Sequence, residues 1–169
     1  MAHARDAIQL YLLRHAHAGA PEGWAGSDDD RPLSIKGEQQ SERLGRFLAS
    51  VSFRPDAILT SPKVRAARTA EIVAAAIGVS VAVDERLGRG LDLVTIEAIL
   101  FDAGEPVSPV LVGHDPDFSE LAASLTGSPT LTMRKGAFAR IDADRPLVAG
   151  GGTLRWLVPP DLLQGRDGR

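Results

Sequence analysis

The chain has 169 residues, about the length of one domain, of which 44% are hydrophobic and 24% charged. This composition is typical of a water-soluble globular protein and excludes a fibrous or intrinsically disordered chain. A formal net charge of -3 and scattered basic residues argue against a nucleic-acid or anionic-membrane partner. The chain contains no cysteine, which excludes disulfides, thiolate nucleophiles and cysteine-ligated zinc.

The apolar runs are all short. None approaches the roughly 20 residues that cross a bilayer, and the first, residues 8–13, is too short for the core of a signal peptide. We therefore expect a cytoplasmic protein without a membrane partner. We also expect a single domain over residues 1–169, with residues 1–6 and 164–169 frayed.

Six short apolar or alternating runs predict strands at residues 8–13, 56–60, 79–83, 109–112, 137–141 and 153–158. Apolar residues at helical spacing predict helices within residues 44–51, 69–77 and 118–125, with a weaker pattern at 96–100. Ser34, Ser61 and Asp115 are the predicted N-caps. Alternating strands and helices require crossover connections, so we predict a three-layer α/β/α sandwich around a mostly parallel sheet.

Residues 16–33 show no periodicity and form a loop longer than most in a compact domain, which is typical of a functional segment. The loop contains an acidic run, Asp28, Asp29 and Asp30, that is one candidate for a divalent-metal site. Successive side chains point in different directions, however, and we favour a solvated acidic turn.

The ends of three predicted strands carry residues suited to phosphate chemistry. Arg14 and His15 end the first strand, Arg65 follows the second, and His114 follows the fourth. In an open parallel sheet, ligands bind outside the carboxyl ends of the strands. Arginine pairs bidentately with phosphoryl oxygens, and an unprotonated histidine is a nucleophile. The four residues therefore predict a phosphate site that needs no metal or other cofactor.

Each of these signals is weak alone, because a single histidine or arginine near a strand end is usually structural. A zinc site that includes His17 and His114 is an alternative. We rank it below phosphate because the neighbouring arginines repel a divalent cation and no carboxylate is expected beside them. His3 is expected to have no role, and His17 is expected at the rim of the site.

Four sequence blocks resemble those of the histidine phosphatase superfamily, also called the phosphoglycerate mutase-like fold. They are residues 12–16 (LLRHA), 31–37 (RPLSIKG), 61–70 (SPKVRAARTA) and 112–116 (VGHDP). They follow the superfamily's order across residues 8–127, although Ala16 replaces the usual glycine. The small size, the Gly-His-Asp-Pro form of the last block and residues 134–137 (RKGA) look most like the SixA-type phosphohistidine phosphatases.

The resemblance implies a role for each of the four residues. His15 attacks phosphorus, Arg14 and Arg65 clamp the phosphoryl oxygens, and His114 donates to those oxygens in the transition state. Water then hydrolyses the phosphohistidine. Because the positive charge of the arginines disfavours imidazolium, we predict that His15 is neutral at pH 7.

The resemblance also bears on the substrate. Larger superfamily members carry, after the third strand, a carboxylate that protonates a departing alkoxide, whereas Gly88 and Arg89 stand at the matching place here. Loss of a general acid slows ester cleavage by about a hundredfold or more. We therefore expect phosphohistidine on a protein as substrate. Asp84, Glu85 and Asp92 keep open a phosphomonoesterase or mutase acting on a small phosphorylated metabolite, and a catalytically silent phosphate-binding module is the remaining alternative.

Overall fold

The computed structural model of the protein describes residues 6–164. His3 and most of the two segments predicted to be frayed lie outside these residues. At the boundaries, the Asp6 carbonyl accepts a hydrogen bond from the Arg145 N–H at 3.0 Å, and the Gln164 N–H donates to the Asp161 carbonyl at 3.3 Å. Both ends of the described chain are thus hydrogen-bonded to their surroundings.

Strands and helices alternate over most of residues 6–164. The strands are β1 (Ala7–Arg14), β2 (Ala57–Thr60), β3 (Ala82–Val83), β4 (Pro109–Gly113), β5 (Phe138–Asp144) and β6 (Thr153–Val158). The α-helices are α1 (Ile35–Ser50), α2 (Val64–Ile77), α3 (Leu93–Asp102) and α4 (Asp117–Thr126). Short 3-10 helices lie at Pro21–Gly23, Asp28–Asp30, Glu85–Gly88 and Pro160–Leu163. None of the α-helices within residues 6–164 has the length and apolar character needed to span a bilayer.

The six strands form one sheet in the order β3-β2-β4-β1-β5-β6. The first four strands in this order are parallel to one another. Strand β5 runs antiparallel to β1, and β6 runs antiparallel to β5. The predicted mostly parallel sheet is therefore confirmed, and the carboxyl ends of β2, β4 and β1 lie side by side.

Helices cover both faces of the sheet. In β1, Leu10 and Leu12 point into the core shared with α3 and α4, whereas Tyr11 and Leu13 point into the core shared with α1 and α2. This alternation follows from the two-residue repeat of a strand. Each fully buried leucine contributes about 1.5–3 kcal/mol of transfer free energy. The predicted three-layer α/β/α sandwich is confirmed.

Several elements differ in extent from their sequence patterns, and two of them are informative. The strand predicted at residues 79–83 pairs only through Ala82 and Val83, because the Val79 N–H instead donates to the Ala74 carbonyl at the end of α2. The weak pattern at residues 96–100 belongs to a complete helix, α3. The Asp92 side chain caps α3 by accepting from the Thr95 N–H at 2.7 Å.

The start of α1 is joined to the long loop that follows β1. Ser34 is the N-cap, as predicted: its hydroxyl oxygen accepts from the Gly37 N–H at 3.1 Å, and the same hydroxyl donates to the His17 carbonyl at 3.1 Å. A Cβ at residue 37 would lie 2.0 Å from that carbonyl oxygen, so only glycine fits there. This close approach holds the chain just after His15 against α1.

Candidate active site

Pairing of neighbouring strands brings His15 and His114 together. Arg14 lies opposite Gly113 in the β1–β4 register, so the two histidines follow at the same edge of the sheet. The His15 N–H donates to the Gly113 carbonyl at 2.9 Å, and the two ring centroids are 5.1 Å apart. Both side chains are buried.

The ring of His15 has a defined tautomer. Its Nδ1 lies 2.8 Å from the Ala16 carbonyl oxygen, which only accepts, so Nδ1 carries the proton and Nε2 keeps its lone pair. Burial lowers the pKa of His15 to about 2, opposed by the Ala16 hydrogen bond and reinforced by His114, Arg65 and Arg14. The neutrality expected at pH 7 agrees with this, but burial, rather than the arginines, is its main cause.

Arg65 reaches the same edge from the first turn of α2, where it is buried. The Thr69 hydroxyl donates to the Arg65 carbonyl at 2.7 Å and accepts from the Ala16 N–H at 3.1 Å, which joins the end of β1 to α2. The guanidinium donates to Asp28 twice, from Nη1 to the carbonyl oxygen at 2.6 Å and from Nη2 to Oδ2 at 3.0 Å.

The sequence favours a solvated acidic turn at residues 28–30, whereas in the structure this turn binds basic side chains. Asp28 also accepts from Arg31 Nε at 2.9 Å, and this bond, with the charges of both arginines, holds the pKa of Asp28 below its usual value. Asp29 lies 3.3 Å from Lys63 Nζ. The ion pairs arise from a tertiary contact, because the long loop folds back over the start of α2 and meets basic side chains there. Within residues 6–164, no three histidine or carboxylate side chains are grouped so as to hold a metal ion.

Arg14 is held on the other side of the histidines. Its Nη1 donates to the Met133 carbonyl at 2.6 Å and lies 3.0 Å from Asp115 Oδ2. The predicted N-cap role of Asp115 is wrong, because Pro116 occupies that position in α4. Both site arginines thus have a carboxylate beside them. The expectation that no carboxylate lies there is wrong, because loops remote from the arginines in sequence supply the carboxylates.

Ser61 contacts His114. The Ser61 hydroxyl oxygen lies 2.7 Å from His114 Nε2 and accepts from the Lys63 N–H at 3.2 Å. The hydroxyl proton can be donated to Nε2, and in that arrangement the imidazole proton is on Nδ1, where it can be donated to a bound anion. Burial, with the charges of Arg65 and Lys63, lowers the pKa of His114 to about 3. The predicted N-cap role of Ser61 is wrong, because α2 starts later, with Lys63 at its N-cap.

Three predicted phosphate ligands each present a buried nitrogen without a protein partner among the described residues: Arg14 Nε, Arg65 Nε and His114 Nδ1. Buried donors are normally hydrogen-bonded. Guanidinium and imidazole N–H groups can donate to an oxyanion, and a guanidinium has no lone pair to offer a cation. The chemistry of the site therefore fits phosphate and not zinc.

Gly88 and Arg89, the residues that the resemblance matches to the general acid of larger superfamily members, are not carboxylates. A Cβ on Gly88 would lie 3.6 Å from Pro62 and 3.9 Å from the Ser61 hydroxyl oxygen, so this glycine adjoins the site. The next residue, Arg89, is exposed and pairs with Asp29 at 3.6 Å.

The three carboxylates that the sequence leaves open as general acids, Asp84, Glu85 and Asp92, are bound elsewhere or exposed. Asp84 binds Arg86 at 2.6 Å, which holds the pKa of Asp84 below its usual value. Asp92 caps α3, and Glu85 is exposed.

Comparison with known proteins identifies the protein family to which the chain is similar. The model for the Histidine phosphatase superfamily (branch 1) matches residues 10–91. An uncharacterized protein of Picosynechococcus sp. is 36% identical over 168 residues, which cover 90% of this chain and 100% of that relative. The probable phosphoglycerate mutase GpmB of Salmonella choleraesuis is 37% identical over 97 residues, which cover 57% of this chain and only 44% of the mutase.

Among solved structures, the protein histidine phosphatase SixA complexed with tungstate is similar, with a TM-score of 0.79 and 27% identity over 93% of this chain and 100% of SixA. The fold and these matches define an enzyme of the phosphatase kind. The chain belongs to the histidine phosphatase superfamily, which confirms the resemblance carried by its sequence blocks.

Proposed function

We propose that this protein is a phosphohistidine phosphatase, which hydrolyses the phosphoryl group on a histidine of another protein through a phosphorylated His15. The observation that carries the proposal is the state of the His15 ring. Its Nδ1–H is bound to the Ala16 carbonyl, its Nε2 keeps a lone pair, and its pKa is lowered to about 2. A buried, neutral imidazole beside two arginines is an activated nucleophile.

The reaction has two displacements. His15 Nε2 forms a bond to phosphorus as the bond from phosphorus to the substrate's imidazole nitrogen breaks, and that nitrogen keeps the electron pair and takes up a proton. Water then attacks phosphorus, the pair of the N–P bond returns to His15 Nε2, and the water releases a proton as inorganic phosphate forms. No metal or other cofactor takes part.

Three donors stabilise the charge that develops on the equatorial oxygens. Arg14 and Arg65 contribute guanidinium N–H groups, and His114 contributes Nδ1–H, whose orientation is held by Ser61. Fixed donors in a buried site are worth more than the same donors in water, because they need no reorganisation during the reaction.

Two observations support phosphohistidine as the substrate. Gly88 and Arg89 stand at the place that matches the general acid of larger superfamily members, and a phosphoramidate expels its nitrogen far more easily than an ester expels an alkoxide. The similarity to SixA, a protein histidine phosphatase, extends over 93% of this chain. The shorter match to a probable phosphoglycerate mutase favours the second candidate, a phosphatase or mutase of small phosphorylated metabolites.

The nucleophile is tested by trapping. A peptide carrying [32P]phosphohistidine is mixed with the enzyme and quenched within milliseconds, and an acid-labile, alkali-stable label on the protein is measured. We expect the label on the wild type and its loss in His15→Ala, whose folding is checked by urea unfolding. A label that persists in His15→Ala would refute the assignment of the nucleophile.

The substrate class is tested by comparing kcat/KM for the phosphohistidine peptide with kcat/KM for 3-phosphoglycerate and glycerol 3-phosphate. We expect the peptide to be preferred by at least about a hundredfold, the usual contribution of a general acid to ester cleavage. Preference for the esters would favour the metabolite phosphatase. Tungstate binding without turnover of any substrate would favour the silent phosphate-binding module.

A further inference from the structure

A cavity of about 340 Å³ opens on the Arg14 side of the phosphate site. We call it the basic cleft, and the basic side chains that line it are Arg14, His17, Lys36, Arg134 and Lys135. Arg14 belongs to both the cleft and the phosphate site, so a ligand of one reaches the other without leaving the protein surface.

Backbone hydrogen bonds fix the cleft relative to the nucleophile. The Gly136 N–H donates to the carbonyls of Arg14 at 3.1 Å and His15 at 2.9 Å, from a backbone with φ of 80° that favours glycine. The Met133 carbonyl accepts a hydrogen bond from Arg14 Nη1 at 2.6 Å. The segment that holds Arg14 thus also presents Lys135 at a set distance from His15.

Positive charge in the basic cleft is only partly compensated, because Arg14 and Arg134 have carboxylate partners but, within residues 6–164, the two lysines do not. No carboxylate among the described residues pairs with Lys36 or Lys135. Burial lowers the pKa of Lys135, and the charges of Arg14, Arg31 and Arg65 lower it further. Asp161 is the acidic residue of the cleft, and it lies 3.2 Å from Arg134 in an exposed pair.

His17 lies at the rim of the basic cleft and adds no charge to it. Its Nδ1 lies 2.7 Å from the Ser34 hydroxyl oxygen, and burial, with the charges of Lys135 and Lys36, lowers its pKa. This position matches the rim expected from the sequence.

The opposite side of the phosphate site, around Arg65, differs in its ion pairs. There, Asp28 binds Arg65, and Asp29 lies within 3.6 Å of both Lys63 and Arg89. The acidic turn thus pairs with the cations on the Arg65 side. On the Arg14 side, Arg14 and Arg134 have carboxylate partners, whereas Lys36 and Lys135 line the cleft without one in the part of the chain that the structure describes. A bound anion on that side would relieve the repulsion among them.

We propose that the basic cleft binds a second anionic group of the substrate while the phosphoryl group lies against His15. The ligand chemistry is a carboxylate or phosphate. Its source is either an acidic side chain that flanks the phosphohistidine of a protein or the second acidic group of a small metabolite. The proposal deepens the phosphatase function proposed above and rests on it.

The test uses two pairs of substrates. One pair is a phosphohistidine peptide flanked by glutamates and the same peptide flanked by glutamines, and the other pair is 3-phosphoglycerate and glycerol 3-phosphate. We expect the wild type to prefer the more acidic member of at least one pair by about tenfold in kcat/KM, with the preference falling as salt rises. Preference within the peptide pair assigns a protein source, and preference within the ester pair assigns a metabolite.

The double variant K36M/K135M removes the two charges that have no carboxylate partner among the described residues, together with the Lys135 Nζ hydrogen bond to the Gly19 carbonyl at 3.5 Å, and keeps most of each apolar stem. We expect it to lose the preference. Arg46→Met is the matched control, because Arg46 is an exposed cation of α1 whose pair with Glu42 is long, at 3.9 Å. We expect Arg46→Met to keep the preference and Lys135→Met, which removes the same single charge from the cleft, to weaken it, so this pair separates the cleft from the effect of net charge.

The experiments distinguish failure of the cleft proposal from failure of the proposed phosphatase function. Hydrolysis of both peptides and both esters without a preference, or a preference that survives in K36M/K135M, overturns the cleft and leaves the function standing. Absence of peptide hydrolysis overturns the function alone. In that case, calorimetric binding of 3-phosphoglycerate and glycerol 3-phosphate still tests the cleft, and equal affinities overturn it.

Discussion

Asp28 holds the guanidinium of Arg65 through both its backbone carbonyl and its carboxylate, at 2.6 and 3.0 Å, across 37 residues of sequence. These bonds occupy Nη1 and Nη2 and leave Nε, which is buried and has no partner among the described residues. Asp28 therefore orients Arg65 instead of merely neutralising it. We infer that Asp28 is a positioning residue for the phosphate clamp.

Replacing Asp28 with alanine should loosen the Arg65 side chain, because the bond from Nη2 to the carboxylate is lost while the bond from Nη1 to the backbone carbonyl remains. Because hydrogen bonds to charged groups are worth about 1.5–3 kcal/mol, we expect kcat/KM for a phosphohistidine peptide to fall by about tenfold or more. Asp28→Asn keeps an acceptor at the same place and should recover part of the loss. Asp30→Ala removes the same charge from the same turn and serves as the control. Tighter tungstate binding by Asp28→Ala would show instead that Asp28 competes with phosphate.

Removing the Ser61 hydroxyl should disturb His114. In Ser61→Ala, His114 Nε2 loses its partner at 2.7 Å, so its Nδ1–H is no longer held toward the phosphoryl oxygens. We expect kcat to fall by about tenfold with a smaller change in KM, and the imidazole nitrogen shifts of His114 to indicate mixed tautomers. Ser41→Ala is the control, since Ser41 is equally buried but donates to the Gly37 carbonyl within α1. An unchanged His114 spectrum in Ser61→Ala would contradict this role.

The two site histidines should stay neutral throughout the physiological range. Burial lowers the pKa of His15 to about 2 and that of His114 to about 3. We therefore expect their ring NMR shifts to be constant from pH 8 down to pH 5, whereas an ordinary imidazole titrates near 6.5. Either ring titrating near pH 6.5 would contradict the buried, neutral site.

The same lowered pKa values predict how stability depends on pH. Below about pH 6.5, the unfolded chain binds protons on these histidines that the folded protein does not bind, so the free energy of unfolding falls as the pH falls toward 3. Above pH 6.5 the two groups contribute no slope. Each contributes about 1.4 kcal/mol per pH unit within the window. Urea unfolding at pH 7.5 and 5 checks this, and His15→Asn should show the smaller loss.

Gly37→Ala should destabilise the protein. The added Cβ would meet the His17 carbonyl oxygen at 2.0 Å, so the loop and the start of α1 must separate. Overpacking of this kind costs about 1–3 kcal/mol, which urea unfolding measures. Gly23→Ala is the matched control, because a Cβ there meets no atom within 4 Å and should change stability by less than about 0.5 kcal/mol. Equal stability of the two variants would contradict the close approach.

Much of the architecture follows from local sequence. The alternating apolar residues of β1 and the helical spacing in α2 and α4 predict both the element and its buried faces, because strand and helix repeats are local properties. The site residues His15 and His114 are predictable for a related reason. Each follows directly after a parallel strand, and parallel strands end at one edge of a sheet.

Other features depended on contacts between distant segments. Ser61 reads as a helix cap but binds His114, 53 residues away, and Asp28 reads as part of a solvated turn but binds Arg65. The Asp28–Arg31 spacing was the one local signal, and nothing in it indicates Arg65. Lys135 forms one wall of the basic cleft only because Gly136 is hydrogen-bonded to the end of β1.

The sequence by itself determined the fold class, the edge of the sheet that carries the chemistry and the donors suited to a phosphoryl group. Only the tertiary structure decided how those donors are oriented, which carboxylates neutralise them and where positive charge is left for a second anion. The physical reason is range: periodicity and strand ends are set within a few residues, whereas burial and ion pairing arise only when loops from separate crossovers pack together.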